Sequence, residues 1–228
     1  ALTQSMDQIF TPESLIRIKE VYLEQLALEE SGKDDPNRSV TLELEELHKD
    51  GSVILVEVVI SFIRDTMLKA TGVLTVTRDI TKRKLTEQRI SQLAAIVESS
   101  DDAIFSKTLD GIITSWNKGA EMIYGYKEQE IVGKSVSKLI LPEMQKEMSW
   151  IFEKISAGQH INHLETTRIR KDGQRINVSL TISPLIDING RIIGASTIGY
   201  DITERIRSET ALQKANEEMK RIVKFNEA

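Results

Sequence analysis

Residues 171–205 read KDGQRINVSLTISPLIDINGRIIGASTIGYDITER, and residues 49–83 read KDGSVILVEVVISFIRDTMLKATGVLTVTRDITKR. Aligned without a gap at an offset of 122, the two stretches are identical at 14 of 35 positions. Ordinary composition would give about two identities, so the chain contains one structural unit twice. Because this offset fits the usual size of a domain, we predict two modules in the 228 residues.

Both copies have the pattern of antiparallel strands. Val, Ile and Thr alternate with polar residues, and the Asp-Gly pairs at 50–51 and 172–173 supply the positive φ of tight hairpins. Ahead of the second copy, Asp110 and Gly111 mark a turn between two further strands, and three short helical segments follow. We therefore predict an α+β fold, with a five-stranded antiparallel sheet, helices on one of its faces, and helical linkers between modules.

The first module is expected to be the shorter one. A helix capped by Thr11 and starting at Pro12 precedes its three strands. Its apolar residues at spacings of 3 and 4 predict a single buried stripe. That stripe comprises Leu15, Ile18, Tyr22 and Leu26. The first copy starts where the second has already reached Ile131, so two leading strands are missing, and we expect an exposed apolar patch near Val73 and Val76.

The predicted division of the chain has four parts. They are the rear part of one domain at 1–83, a linker helix at 84–98, a complete domain at 99–205 and an amphipathic helix at 206–228. We expect the whole to be a fragment of a longer protein.

Composition excludes several kinds of function. A net charge of −5 without a basic cluster argues against nucleic-acid binding. Apolar runs fall far short of the roughly 20 residues that span a bilayer, so we expect no membrane segment here. Because cysteine is absent, disulfides, thiolate metal sites and cysteinyl adducts are ruled out, and we expect a reducing, cytoplasmic setting.

Residues 98–205, and the rear half again at 1–83, resemble a PAS domain. The motifs that carry the resemblance are Asp110-Gly111, Ile113-Thr114-Ser115-Trp116-Asn117, Tyr124-Gly125-Tyr126, Glu130-Ile131-Val132-Gly133, the Lys-Asp-Gly hairpin and the closing Asp-Ile-Thr. The resemblance implies PAS/PAC sensory modules of a bacterial or archaeal sensor histidine kinase in a two-component phosphorelay. It also implies a homodimer and a downstream kinase or other output domain as partners.

In this family, the space between sheet and helices can hold a small molecule. The residues that the resemblance places there are Phe105, Trp116, Asn117, Tyr124, Met148, Ile151 and Tyr200. We expect no cofactor. The alternatives are a haem, which would need His160, His163 or a Met as axial ligand, and a non-covalent flavin, either of which would make the chain a redox or gas sensor.

The Asp-Ile-Thr element is expected to relay a signal to the helix that follows. It comprises Asp79 and Thr81 in the first module, and Asp201 and Thr203 in the second. Asp201 can accept free N–H groups of the helix while Glu204 reaches back, as in a capping box. In the first module, Lys82 replaces that glutamate. An ordinary helix cap would account for the aspartates equally well.

The last helix has a seam suited to a parallel coiled coil, and we expect dimerisation through it and through the linker helix. The seam residues are Ile202, Arg205, Glu209, Leu212, Asn216, Met219 and Val223. A dimerisation scaffold without any ligand is a further alternative. We expect no metal site or catalytic residue in this stretch, since all three histidines fall beside strands or turns and no Gly-rich nucleotide loop is present.

Overall fold

A computed structural model of the chain describes residues 6–31, 35, 38–48, 50–67 and 70–226. The chain forms two compact units, and the boundary between them follows Gln92. Each is an antiparallel sheet with helices, so the predicted α+β class is confirmed. Lys49 of the first hairpin lies outside the described residues.

The first unit has one long helix and three strands before the linker helix. Its elements are α1 (Pro12–Ser31), β1 (Ser39–Leu47), β2 (Val53–Arg64), β3 (Ala70–Asp79) and the start of α2 (Thr81–Glu98). The strands pair antiparallel in the order β1-β2-β3. Val21 from the helix packs with Leu42, Leu44, Val56 and Val58 from the sheet.

Helix α1 faces the sheet with only the front half of the predicted stripe, since Ile18 packs against the core and Leu15 is half-buried. Val21 is buried, whereas Tyr22 and Leu26 are 53% and 39% exposed. The rotation is fixed by hydrogen bonds to β1: Ser14 Oγ accepts from Glu45 N at 2.8 Å, and Thr11 N donates to Glu45 O at 3.1 Å. These polar contacts bring Val21, rather than Tyr22, against the sheet.

The apolar patch predicted on β3 is present. Val73, Leu74 and Val76 are 49%, 55% and 59% exposed, because β3 is the outer strand of this sheet. In the second unit, the strand equivalent to β3 is covered on both edges, so the difference follows from the leading strands that only the second unit has.

The second unit has the five strands that the sequence predicts. Its elements are β4 (Ala103–Thr108), β5 (Ile113–Trp116), α3 (Lys118–Tyr124), α4 (Glu128–Ile131), α5 (Gln145–Ser156), β6 (Ile161–Ile169), β7 (Arg175–Ile186), β8 (Ile192–Asp201) and α6 (Thr203–Asn226). The strand order is β5-β4-β8-β7-β6, with every neighbouring pair antiparallel. Apolar residues of α3, α4 and α5 pack on one face of this sheet in a single core.

Candidate functional site

A small cavity lies between the sheet and α5 of the second unit. Its volume is about 20 Å³, which is room for about one water molecule. The lining residues are Phe105, Lys107, Tyr124, Val136, Leu139, Ile140, Met148, Ile151, Phe152, Arg168, Leu180, Ile182 and Thr197. Of the predicted pocket residues, the structure brings Phe105, Tyr124, Met148 and Ile151 together here.

Trp116 is buried beside the cavity rather than in its wall. Its ring centroid lies 5.0 Å from that of Phe105 and 5.5 Å from that of Tyr124, and its Nε1 donates to Tyr126 O at 3.0 Å. Because its one polar atom is satisfied and its faces are packed, Trp116 is part of the core.

Asn117 also lies outside the cavity, and its side chain makes four hydrogen bonds. Oδ1 accepts from Ala120 N and Ile104 N, both at 2.8 Å. Nδ2 donates to Val97 O and Asp102 O, both at 2.9 Å. As predicted, it is the N-cap of α3. It also fixes the end of α2 and the start of β4, which leaves none of its usual donors and acceptors for a ligand.

Tyr200 does not line the interior, contrary to the expectation from the resemblance. Its side chain is 45% exposed. Along β8, Ala195 and Thr197 face the core, and alternation places Tyr200 on the opposite face of the sheet.

Two buried cations line the cavity, and neither was among the predicted site residues. Lys107 of β4 and Arg168 of β6 are 5% and 4% exposed. Arg168 Nη2 donates to Glu147 Oε1 at 2.6 Å, and its Nη1 donates to Thr166 Oγ1 at 2.9 Å. Lys107 Nζ donates to Thr197 Oγ1 at 2.9 Å. The two charged groups therefore have unequal surroundings, since only the guanidinium has a carboxylate.

The electrostatics of the cavity reflect that imbalance. Burial, followed by the positive charge of Arg168, lowers the pKa of Lys107 to about 8. Burial raises the pKa of Tyr124 to about 12. The ammonium is thus held in a place that disfavours its charge.

The alternation of the strands could have revealed both cations. Ala103, Phe105 and Lys107 all point inward along β4, as do Thr166 and Arg168 along β6. A charged residue at a strand position that alternation assigns to the buried face indicates a buried charge. This indication is easily missed because Lys and Arg are rarely fully buried.

The Asp-Ile-Thr element forms the same hydrogen bonds in both units. Asp201 Oδ1 accepts from Thr203 N at 2.8 Å, and Thr203 Oγ1 accepts from Asn177 N of β7 at 2.9 Å. In the first unit, Asp79 Oδ1 accepts from Thr81 N, and Thr81 Oγ1 accepts from Leu55 N of β2, at the same two distances. We call this arrangement the threonine anchor.

Glu204 does not complete a capping box with Asp201 in the described part of the chain. The backbone instead joins the neighbouring strand, as Ile202 N donates to Asn177 O at 2.8 Å. Glu204 lines an open surface hollow of about 590 Å³ with Asp201, Thr203 and Arg207. The predicted reciprocal contact is thus replaced by the threonine anchor.

A second repeated contact escaped the sequence analysis. Arg205 in the first turn of α6 pairs with Glu165 of β6 at 2.5 Å, and Arg83 in the first turn of α2 pairs with Glu43 of β1 at 3.7 Å. Both glutamates precede their Lys-Asp-Gly by the same six positions. Extending the gapless alignment backward would have found the pair.

Neither haem nor flavin fits the cavity as it stands. Cofactor and drug-sized sites occupy about 300–1,000 Å³, far above the volume here. His160 is exposed, with Nδ1 3.0 Å from Ser183 Oγ, and His163 is exposed on β6. Across the described residues, no group of three or more His, Asp or Glu is arranged to hold a metal ion.

The first unit has a larger and more open groove, of about 410 Å³, between α1 and the sheet. Ile18, Val21, Val40, Ile60 and Phe62 are among its mostly apolar lining residues. None of the residues that line this groove is both charged and buried.

Sheets with helices on one face, each followed by a helix anchored to its last strands, define a tandem pair of related α+β modules. Residues 91–202 match the family model described as PAS fold, and residues 2–82 match a model described as PAS domain. Together the two matches cover most of the chain, which therefore belongs to the PAS family.

Two of the relatives have the names of signalling proteins. "Two-component system protein A" of Emericella nidulans is 33% identical over 125 residues, covering 54% of this chain and 18% of the relative. "Signal transduction histidine-protein kinase AtoS" of Escherichia coli is 28% identical over 120 residues, covering 53% and 19%. The chain thus spans about a fifth of the length of these curated relatives.

Among solved structures, the PAS domain of a protein from Colwellia psychrerythraea is 29% identical to this chain. It covers 51% of this chain and 98% of its own, with a TM-score of 0.47. None of the helices in the described part of the chain combines the length and apolar character needed to span a membrane.

Proposed function

We propose that the chain is the sensory and relay segment of a larger signalling protein of the sensor histidine kinase type. In each module, a change in the sheet is passed to the helix that leaves it. The observation that carries this proposal is the threonine anchor, which occurs twice with equal distances at equivalent positions of the repeat. The similarity to two-component proteins supports the kinase as the output of the whole protein.

The anchor can transmit movement because it joins the first turn of the helix to a strand other than the one that precedes it. Thr203 follows β8 but is bonded to Asn177 on β7. Arg205 reaches one strand further, to Glu165 on β6. The start of α6 is therefore joined to β8 through the chain, to β7 through Thr203 and to β6 through Arg205. A change in the twist or stagger of these strands moves all three attachments together.

The proposal includes the division of the chain into two modules and two exit helices. Residues 1–83 and 99–205 are the two modules, and 84–98 and 206–228 are the helices that carry the change onward. Both helices have exposed apolar residues that would meet in a dimer: Leu93 and Ile96 are 56% and 59% exposed, and Leu212 and Met219 are 64% and 65% exposed at a spacing of seven.

A hydroxyl deletion tests the relay in the full-length protein that contains this chain. Thr203→Val keeps the shape of the side chain and removes the bond to Asn177, whereas Thr203→Ser keeps that bond. Thr210→Val is the matched control, because Thr210 Oγ1 donates only to its own helix, at Ile206 O. We expect histidine autophosphorylation to change at least about threefold in Thr203→Val and to match wild type in the other two variants.

Amide hydrogen exchange in the first turn of α6 provides the second measurement. Exchange should quicken in Thr203→Val, because the turn loses its bond to the sheet. If exchange quickens while autophosphorylation stays at the wild-type level, the anchor does not transmit the signal. A full-length protein without any histidine autophosphorylation would contradict the kinase part of the proposal.

A further inference from the structure

We propose that the free edge of β3 in the first module binds an extended segment of a separate polypeptide, which adds to the sheet as a fourth strand. The segment that fits has apolar side chains at alternate positions and an acidic residue at its amino end. This inference goes beyond the proposed function, because it assigns a partner-binding surface to the first module. Its basis is the different surroundings of the equivalent strands β3 and β8.

The edge of β3 is open where the edge of β8 is covered. In the second module, β4 pairs antiparallel with residues 194–199 of β8. The equivalent residues 72–77 of β3 pair with β2 on one side, and no strand in the described part of the chain pairs with the other side. Every residue from Val73 to Asp79 is exposed. A row of unpaired N–H and C=O groups is a template on which another strand can add.

The sequence of β3 does not protect this edge. Its 10 residues, ATGVLTVTRD, contain no proline and no lysine, and their two charges are at the end of the strand. The register shift that involves β3 lies at its beginning, opposite Ile63 and Arg64. Edge strands that stay uncovered are usually short, bulged, or interrupted by proline or charge. The composition of β3 is therefore that of a covered strand.

The open edge borders an apolar groove that can take the inward side chains of an added strand. Thr75 lines this groove with Ile18 and Tyr22 of α1, and the volume is about 410 Å³. In the second module, Phe105 of β4 pairs with Thr197, the equivalent of Thr75, and the space left is about 20 Å³. A large apolar side chain on the added strand would fill the groove in the same way.

The charge at the end of β3 favours an acidic residue in the added segment. Arg78 is exposed, and among the described residues no side chain forms an ion pair with it. The equivalent residue of the second module is Tyr200, and the register of β4 with β8 places Asp102 opposite it. An acidic residue at the place of Asp102 would therefore face Arg78, and opposite charges across two strands stabilise their pairing.

The residues that lead into α1 lie at the opposite edge of this sheet. Phe10 forms a bridge with Glu46, and Leu47 N donates to Ile9 O at 2.6 Å, so this stretch lies against β1. The strand order β1-β2-β3 separates it from β3 by the width of the sheet. The added strand is therefore assigned to a separate polypeptide rather than to the stretch that enters α1.

A strand added to β3 would act next to the exit of the first module. β3 ends at Asp79, whose Oδ1 accepts from Thr81 N in the threonine anchor. Pairing on a second side would change the twist of β3 beside this anchor. The effect on signalling rests on the proposed relay, whereas the binding does not.

The probe is a synthetic peptide of residues 101–117, DDAIFSKTLDGIITSWN, which contains β4 and β5. We expect it to shift the ¹H–¹⁵N NMR signals of residues 72–77 in the 228-residue chain saturably, with a dissociation constant of about 10–100 μM. A peptide with Phe105→Asp should bind at least about tenfold more weakly, because it places a charge in the groove. Ser106→Glu adds the same charge on the other face of the strand, and should change binding by no more than about twofold.

Charge reversal tests the contact with Arg78. Arg78→Glu in the chain should weaken binding of the peptide about two- to fivefold, and a peptide with Asp102→Lys should restore it. Arg89→Glu, at an exposed arginine of α2, is the matched control and should bind the parent peptide as wild type does.

Four results would each overturn the proposal. They are the absence of saturable shifts up to about 1 mM peptide, equal binding of the Phe105→Asp peptide, shifts confined to the second module, and slow amide exchange at residues 72–77 without added peptide. Slow exchange that is lost on dilution of the chain would assign the edge to a second copy. Slow exchange seen in the full-length protein alone would assign it to another part of the same polypeptide. No output is measured here, so failure would leave the relay to be judged by the Thr203 variants.

Discussion

Arg205 at the start of α6 lies 2.5 Å from Glu165 on β6, and Arg83 at the start of α2 lies 3.7 Å from Glu43 on β1 and 3.6 Å from Glu57 on β2. The four residues keep the 122-residue offset of the repeat. Since the pairs are about half exposed, they add little to stability. We propose that they set the position of the helix.

We expect Glu165→Gln to raise amide exchange in the first turn of α6 by about two- to fivefold at low salt. Arg205→Gln should have the same effect, and the double variant should show no further increase, because both remove one contact. In about 1 M salt the effect should disappear through screening. A larger effect of Glu209→Gln, the partner of Arg205 within α6 at 3.1 Å, would assign the role to the helix itself.

Lys107 makes the stability of the second module depend on pH. Its folded-state pKa of about 8 is below the ordinary 10.5, so between these values the unfolded chain binds more protons. Stability is therefore reduced below about pH 8 and rises with pH above it. From about pH 7 to 9.5, the free energy of unfolding of wild type should rise by about 2 kcal/mol relative to Lys107→Met.

Urea unfolding followed by tryptophan fluorescence measures this difference, because both tryptophans, Trp116 and Trp150, lie in the second module. The titratable groups that line the cavity with Lys107 are Arg168 and Tyr124, which both proteins share, and the pKa of Tyr124 at about 12 is above the range used. If the difference in free energy of unfolding between wild type and Lys107→Met does not change with pH, the ammonium of Lys107 is not desolvated.

Asn117→Asp should destabilise the second module by about 3–5 kcal/mol at neutral pH. The substitution is isosteric, but it replaces the two N–H groups that donate to Val97 O and Asp102 O with an oxygen that repels them. Asn162→Asp on the exposed side of β6 is the control, expected within about 0.5 kcal/mol of wild type. The same unfolding assay applies, and an equally mild effect at both sites would contradict the role of the four hydrogen bonds.

Leu212→Lys should weaken dimerisation of the 228-residue chain at least about tenfold, because it places a charge in the proposed seam of α6. Met219→Lys, one heptad further along, should act alike. Gln213→Lys adds the same charge beside the seam and should leave the association unchanged. Sedimentation equilibrium measures all three, and a chain that is monomeric as wild type would contradict dimerisation through α6.

Much of the fold could be predicted from the sequence because its signals are local. Alternation along the strands and Asp-Gly turns, such as Gly173 with φ +84°, determine each hairpin without reference to distant residues. The rotation of α1 could not be predicted in this way, since it depends on Ser14 and Glu45, which are 31 positions apart.

The candidate site was predicted only in its apolar half. The burial of Phe105 and Tyr124 could be predicted from the resemblance and from their hydrophobicity. The burial of Lys107 and Arg168 could be predicted only from strand alternation, which conflicts here with the usual exposure of charged residues. For Tyr200, strand alternation would also have given the right answer, because it places this aromatic side chain on the exposed face of the sheet.

The equal spacing of the anchors makes the two modules interchangeable at one defined junction. A chimera that joins residues 1–80 directly to residues 203–228 would place Thr203 where Thr81 bonds Leu55, and Arg205 where Arg83 meets Glu43. The threonine bond and the arginine contact would have chemically identical replacements, whereas the ion pair of Lys84 with Glu43 would be lost, because Ile206 takes the place of Lys84. We therefore expect the exit helices of the two modules to be exchangeable at the junction before the threonine, with the loss of that one ion pair.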